Sequence, residues 1–297
     1  MAETDWLTER FEEHRPRLRG VAYRMLGSLD EADDALQDAW LRVSKAGADG
    51  VENLGGWLTT VVARVCLNML RSRATRRETS DGRLPDPIVT PLGDLEPEQE
   101  VLLADSVGLA LQVVLETLTP AERLAFVLHD LFELPFDEIA PIVGRSPDAA
   151  RQLASRARRR VRGADTGAPE PDLVRQQLVL EAFYRAARQG DLEALVGLLD
   201  PDVVLRTDAG TGRPHRAAVI RGAEAVARQA RLGASPESDV HRALVNGAYG
   251  AVITRKGRPF AVMAFAVVRD RITEIDIIMG AERVGRVAAS VLSSFEA

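Results

Sequence analysis

Apolar residues recur at intervals of three and four along the N-terminal half and in β-branched runs along the C-terminal third, which predicts helices first and a sheet later. Ser28-Leu29-Asp30-Glu31 has the form of a capping box, and Leu29, Ala32, Leu36, Ala39, Trp40 and Val43 stripe the helix it would start. In the next helix Leu58, Val61, Val62, Val65, Met69 and Leu70 share one face, and Trp57, Thr60, Arg64, Asn68 and Arg71 the other. Thr119-Pro120-Ala121-Glu122 is a second capping box with proline at the first helical position; Leu124, Val127, Leu128 and Leu131 follow at helical spacing. Ile139, Ala140, Ile142 and Val143 predict a further helix that Gly144 closes. Ser146-Pro147-Asp148 then supplies a cap, a first-turn proline and a carboxylate matched to the helix dipole, with Ala150, Leu153, Ala157 and Val161 facing inward.

Between residues 79 and 105 the helical period fades. Pro85, Pro87, Pro91 and Pro97 accompany Asp81, Asp86, Asp94, Glu96, Glu98, Glu100 and Asp105 against Arg83 alone, a composition that predicts an extended, self-repelling tether. A polar break at 165–171 precedes the last part, where helices are expected over 173–187 and 192–199. Strands follow at 203–207, 243–246, 251–254, 260–268 and 272–278, interrupted by a helix at 222–230. The expected organisation is multidomain: a helical domain at 1–78, an acidic proline-containing linker at 79–108, a helix-turn-helix at 109–164 and an α+β domain at 170–297.

Charge sharpens this picture. The 297 residues carry a net charge of −6, so positive charge must act through local patches, and the helix after Ser146 holds six arginines: Arg151, Arg156, Arg158, Arg159, Arg160 and Arg162. Arg151, Gln152, Ser155, Arg156 and Arg159 are left facing outward. A helix of this kind fits the DNA major groove, where arginine bridges guanine O6 and N7 and glutamine pairs with adenine. An isolated arginine run would be a solvated surface; the caps, the glycine turn and the confinement of the charge to the last helix favour DNA. On the earlier helix an aromatic ring on a cationic face suits stacking on unpaired bases, with Arg73, Arg76 and Arg77 extending the basic end. Trp57 alone could equally close a helix interface. Asp30, Asp34 and Asp38, with Asp33 and Gln37 beside them, form an acidic ridge that is either a hydrated face or the seat of a basic partner.

Cys66 is the single cysteine, which excludes an intrachain disulfide and suits a reducing compartment, the cytoplasm. No apolar run has the length to span a bilayer and the first residues lack a leader pattern, so neither membrane insertion nor secretion is expected. The four histidines show no metal-ligand spacing, and neither metal nor cofactor is expected.

Taken in order, these segments resemble the extracytoplasmic-function (ECF) sigma factors, dissociable promoter-recognition subunits of bacterial RNA polymerase. Residues 31–43 look like the polymerase-binding helix of region two, residues 53–64 with Asn68 like its promoter-melting segment, and residues 119–161 like region four, which reads the minus-35 element. The resemblance implies that Asp34, Gln37, Asp38 and Leu41 contact the clamp helices of the polymerase β′ subunit. It implies that Trp57, Arg64 and Asn68, with Arg71 on the same face, handle the unpaired minus-10 strand. Arg151, Gln152, Ser155, Arg156 and Arg159 would meet minus-35 DNA. Core polymerase, through the β′ clamp and the β flap, and promoter DNA are the implied partners; the polymerase supplies the chemistry, and this subunit is not an enzyme by itself. An anti-sigma partner is left open. Other sigma linkers imply that the acidic tether follows the nucleic-acid exit path as a polyanion.

Arg83-Leu84-Pro85-Asp86-Pro87 is similar to a Trp-Leu-Pro-Glu-Pro motif of sigma factors with an extra C-terminal domain, with Arg83 in place of the tryptophan. The pattern after residue 170 resembles that domain, a SnoaL-like, nuclear-transport-factor-like (NTF2-like) cone. Asp208-Ala209-Gly210-Thr211-Gly212-Arg213 corresponds to its Asp-Gly-Gly-Gly-Lys loop, so Asp208, Gly210, Gly212 and Arg213 form a candidate regulatory loop. Gly280-Ala281-Glu282-Arg283-Val284 matches a later Asn-Pro-Asp-Lys-Leu segment poorly. Free-standing SnoaL-like domains include cyclases and isomerases, and Asp208, His215, His241 and Asp276 are the available acids and bases; the plainer reading makes Asp208 a turn former and the histidines ordinary strand residues. Two rival functions follow: a one-component DNA-binding regulator with a ligand-sensing cone, and a cyclase or isomerase on a DNA-binding tether.

Overall fold

The structure is a computed structural model that describes residues 2–48, 50–75, 84–93, 108–163, 172–210 and 218–294. The chain divides into two compact units. The first contains α1 (Ala2–Leu26), α2 (Leu29–Ala46) and α3 (Leu54–Thr75), followed by α4 (Gly108–Glu116, from Leu111 onward), α5 (Pro120–Phe126), α6 (Phe136–Val143) and α7 (Pro147–Gly163). Helix α1, which the pattern analysis did not single out, buries Leu7, Phe11, Leu18, Val21, Ala22 and Met25. Phe11 meets the Trp40 ring of α2 at 5.1 Å. The expected inward stripe of α2 is buried at Ala32, Leu36, Ala39 and Val43, and that of α3 at Leu58, Val62, Val65 and Leu70.

The last carbonyls of a helix lack intrahelical partners. In α1 they are taken up by residues from two distant parts of the chain. Gln112 Nε2 donates to the carbonyls of Tyr23 and Arg24 at 3.2 and 3.3 Å. Arg123 Nη1 donates to Met25 O at 2.8 Å, and Arg73 Nη1 to Leu26 O at 3.3 Å. Arg123 is buried and pairs with Glu116 at 2.9 Å. Arg17 adds a bond to the Phe132 carbonyl at 3.2 Å. Two helical regions that the sequence separates by a linker thus pack as one unit, because each satisfies polar groups of the other.

Two local expectations are corrected. Ser28 precedes α2 but makes no side-chain cap bond, and the reciprocal half of the box is lost because the Glu31 carboxylate turns instead to Arg73. The helix expected to run unbroken from Thr119 to Leu131 widens into a π turn over Val127–Leu131.

The second unit contains α8 (Leu173–Gln189), α9 (Leu192–Leu198), β2 (Leu199–Asp208), β3 (Ala218–Arg221), α10 (Ala223–Gly233), β4 (Ser238–Val245), β5 (Ala248–Arg255), β6 (Arg258–Val268), β7 (Arg271–Met279), α11 (Ala281–Val287) and α12 (Ala289–Ser293). With β1 (Val89–Pro91) it forms a seven-stranded sheet in the order β1-β4-β5-β6-β7-β2-β3. Only β2 and β7 pair in parallel. Leu180, Phe183, Leu195, Val226, Phe265 and Ile275 are among the residues that join helices to sheet in one core. This is the α+β class expected. The presence of β1 corrects the tether expectation for residues 84–91, which are fixed on this unit because their amides and acids find partners there. No helix among the described residues is long and apolar enough to cross a membrane.

Cys66 lies fully buried in α3, and burial pushes its thiol up to about 12. The native protein should therefore resist alkylation by iodoacetamide at mildly alkaline pH and react only after denaturation, as mass spectrometry of the native and unfolded chain would register.

Candidate nucleic-acid and polymerase interfaces

Both halves of the Thr119 capping box form: Glu122 N donates to Thr119 Oγ1 at 3.4 Å, and Thr119 N to Glu122 Oε2 at 3.2 Å. Gly144 ends α6 with φ +70° and ψ 43°, a left-handed turn that glycine adopts without strain. Ala149 N then donates to Ser146 Oγ at 3.3 Å where α7 begins. These three punctuation points aim α7. Its Ala150, Leu153, Ala154 and Ala157 are buried, while Arg151, Gln152, Ser155, Arg156 and Arg159 are all exposed.

Internal acids hold several of these arginines. Buried Glu122 pairs with Arg160 at 2.8 Å and Arg156 at 3.7 Å, and Arg158 meets Asp130, on the π turn, at 2.5 Å. Burial works to raise the Glu122 carboxyl, but the Thr119 hydroxyl and amide, together with Arg160 and Arg156, hold it below the ordinary range. Arg151 bonds Asp148 at 2.7 Å and lies over the Phe136 ring at 5.3 Å. Among the described residues Arg159 has no carboxylate partner. Nothing is described of the Arg162 side chain.

On α3, Asn53 Oδ1 accepts from Gly56 N at 3.0 Å and fixes the first turn. Trp57 is half-buried there, while Arg64, Asn68 and Arg71 are exposed along one side. Arg76 and Arg77 lie outside the described residues. On α2, Asp34 and Gln37 are exposed, Asp38 pairs with Arg42 at 2.7 Å, and Leu41 is 49% exposed, a large apolar side chain beside carboxylates. Asp33 leaves the ridge: Arg19 holds it with two bonds of 2.8 Å.

In the second unit the segment from Leu84 to Pro91 is strapped to the sheet. Val89, Thr90 and Pro91 pair with Val245, Leu244 and Ala243. Ile88 exchanges two bonds with Asn246, its amide to Oδ1 at 2.9 Å and its carbonyl from Asn246 N at 2.8 Å. Arg283 completes the strap: Nε meets Asp86 at 2.6 Å, Nη1 meets Asp208 at 2.5 Å and Nη2 meets Leu84 O at 2.5 Å. Asp208 also accepts from Leu84 N at 2.9 Å and from Gly210 N at 2.9 Å. Asp86, expected as one charge of a solvated polyanion, is instead a buried partner of Arg283. Arg83, Thr211, Gly212, Arg213 and His215, and the linker acids Asp81, Asp94, Glu96, Glu98, Glu100 and Asp105, lie outside the described residues.

Two family models match the chain, Sigma-70 region 2 over residues 10–76 and Sigma-70, region 4 over residues 108–161. Over 276 residues the chain is 40% identical to the ECF RNA polymerase sigma factor SigJ of Mycobacterium tuberculosis, covering 90% of this chain and 86% of that one. The chain belongs to the ECF sigma factors. The probable ECF sigma factor SigI of the same species is 34% identical over 286 residues, with 94% of this chain and 95% of that one covered. The crystal structure of M. tuberculosis SigJ matches with a TM-score of 0.72 at 33% identity, over 93% of this chain and 97% of that chain. As a sigma factor the chain directs RNA polymerase to promoters, and a sheet domain is fused behind its two helical regions.

Three of the four candidate acids and bases of that sheet domain have structural partners, and His215 lies outside the described residues. Asp208 holds the strap. Asp276 is buried against Arg206 at 3.1 Å with Glu274 beside it; burial pushes its carboxyl up to about 6, Arg206 opposing and Glu274 adding. His241 Nε2 lies 2.8 Å from Thr254 Oγ1. Arg283 is the residue the sequence reading undervalued. It stands in the segment that matched its motif poorly, and the signal was the basic residue kept at the lysine position.

Arg283→Ala should leave buried Asp208 without its cation and weaken the pairing of Asp86, which keeps Arg286 at 3.7 Å, costing roughly 3–5 kcal/mol and opening the strap; faster hydrogen exchange at the Leu84 and Ile88 amides is the readout. Because Glu122 is held below its unfolded value, its contribution is present above about 4.5 and lost as pH falls through that region. Glu122→Gln should therefore cost about 1 kcal/mol at neutral pH and flatten the acid limb of the thermal stability curve.

Proposed function

We propose that α7 is the minus-35 reader, with Arg151, Gln152, Ser155 and Arg156 at base edges and Arg159 on the phosphate backbone. The observation that carries this reading is the separation of the helix into a buried small-residue stripe and five exposed polar residues aimed by three satisfied caps. The α3 face of Trp57, Arg64, Asn68 and Arg71 takes the unpaired minus-10 strand, its aromatic ring and cations suited to a stacked, charged single strand. Asp34, Gln37, Asp38 and Leu41 dock on the β′ clamp helices, where an exposed leucine ringed by carboxylates fits an apolar patch with a basic rim; region four meets the β flap.

The packed helical unit is a resting form in this reading. Elements named for positions roughly 25 base pairs apart are separated by about 85 Å at ~3.4 Å per step. A compact unit of roughly 150 residues has a radius of gyration near 15 Å. The two regions must part to occupy both elements, which means breaking the bonds from Gln112 and Arg123 to α1. The strap opposes this by tying up part of the connecting chain, so the Asp208 and Gly210 loop with Arg283, and Gly212 and Arg213 in the same sequence motif, restrain initiation.

Run-off transcription with core polymerase tests each part. Arg151→Ala and Arg156→Ala should each lose roughly 1–3 kcal/mol of promoter affinity and relax preference at one base pair, whereas an equal loss on every sequence would reassign them to phosphates. Charge reversal of Asp34 and Asp38 together should abolish co-purification with core polymerase; failure of the unaltered chain to associate at all would sink the reading. Arg283→Ala should raise transcript yield, and a fall would make the strap a support for initiation.

A further inference from the structure

The second unit holds a partly open cavity of about 250 Å³ between α8, α10 and the sheet. Its walls are mainly apolar and include Phe183, Leu205, Ile253, Phe260, Met263 and Ile277. Two cations, Arg188 and Arg255, also line it. The Arg255 guanidinium lies 4.0 Å over the Phe260 ring, and its Nε is 3.4 Å from Ser238 Oγ, so the charge is held at the wall. Among the described residues neither arginine forms an ion pair with a carboxylate, Glu181 acting on the exposed Arg188 only electrostatically, and no Asp, Glu or His lines the space. Tyr184 lines the same cavity, and among the described residues its buried hydroxyl has no hydrogen-bond partner.

We infer that this cavity binds an organic anion with an apolar body, of the class of medium-chain carboxylates. Apolar walls with a few placed polar groups are the usual make-up of a small-molecule site. Arg255 in the wall and the exposed Arg188, with no carboxylate in the lining, set the sign of the head group: an amine would meet two like charges with no lining acid to receive it, and a neutral lipid would leave the Arg255 charge unanswered. The inference does not depend on the promoter-reading assignment, since it concerns a cavity within one unit.

Isothermal titration of the full-length protein, without polymerase, with decanoate and with decanol provides the test. The expected result is saturable one-to-one binding of decanoate, at least about tenfold tighter than decanol. The double substitution Arg188→Gln with Arg255→Gln should remove that preference and leave decanol binding unchanged. Met263→Trp should fill the cavity and abolish binding of both, with an unaltered circular dichroism spectrum showing that the fold is kept. Absence of saturable decanoate binding, or equal affinity of the unaltered protein for acid and alcohol, overturns the proposal whatever the variants do. Transcription readouts play no part, so failure here and failure of the promoter-reading assignment are told apart.

Discussion

The C-terminal end of α1 is the constraint on which the helical unit depends. Its orphan carbonyls carry the negative end of the helix dipole and attract cationic donors. Arg73 supplies one from α3, and Arg123 and Gln112 supply the others from the region that follows the linker. Arg123 is nearly inaccessible, yet among the described residues its Nε has no partner, so the joint is specific in direction but short of full satisfaction. A joint of that kind holds two regions together without making their separation prohibitive.

What could be read in the sequence was local. The Thr119 capping box, the left-handed Gly144 and the inward stripe of α7 depend on residues within a few positions of one another, and each is present as expected. The Ser28 box failed for a tertiary reason, since Glu31 is recruited by Arg73 on another helix. The strap was hidden more deeply. Prolines and acids read as an unfolded tether because nothing nearby announces that Ile88 will pair with Asn246, 158 residues on, or Asp86 with Arg283, 197 residues on. Composition reports what a segment does alone, and this one does not act alone.

In the sheet domain the hollow and the candidate acids are kept apart. Asp208 is spent on the linker and Asp276 on Arg206, and the interior presents two arginines among apolar walls. On the inference drawn above, the same domain joins two inputs, the small molecule within and the connecting chain fastened outside.

The fastening has one more consequence. The three residues of β1 cover the outer side of β4, a strand whose inner side is already paired along its length to β5. When the connecting chain lets go, main-chain groups of β4 at Ala243, Leu244 and Val245 stand ready to template another molecule. The segment that joins the two helical regions is therefore also the cover of a sheet edge.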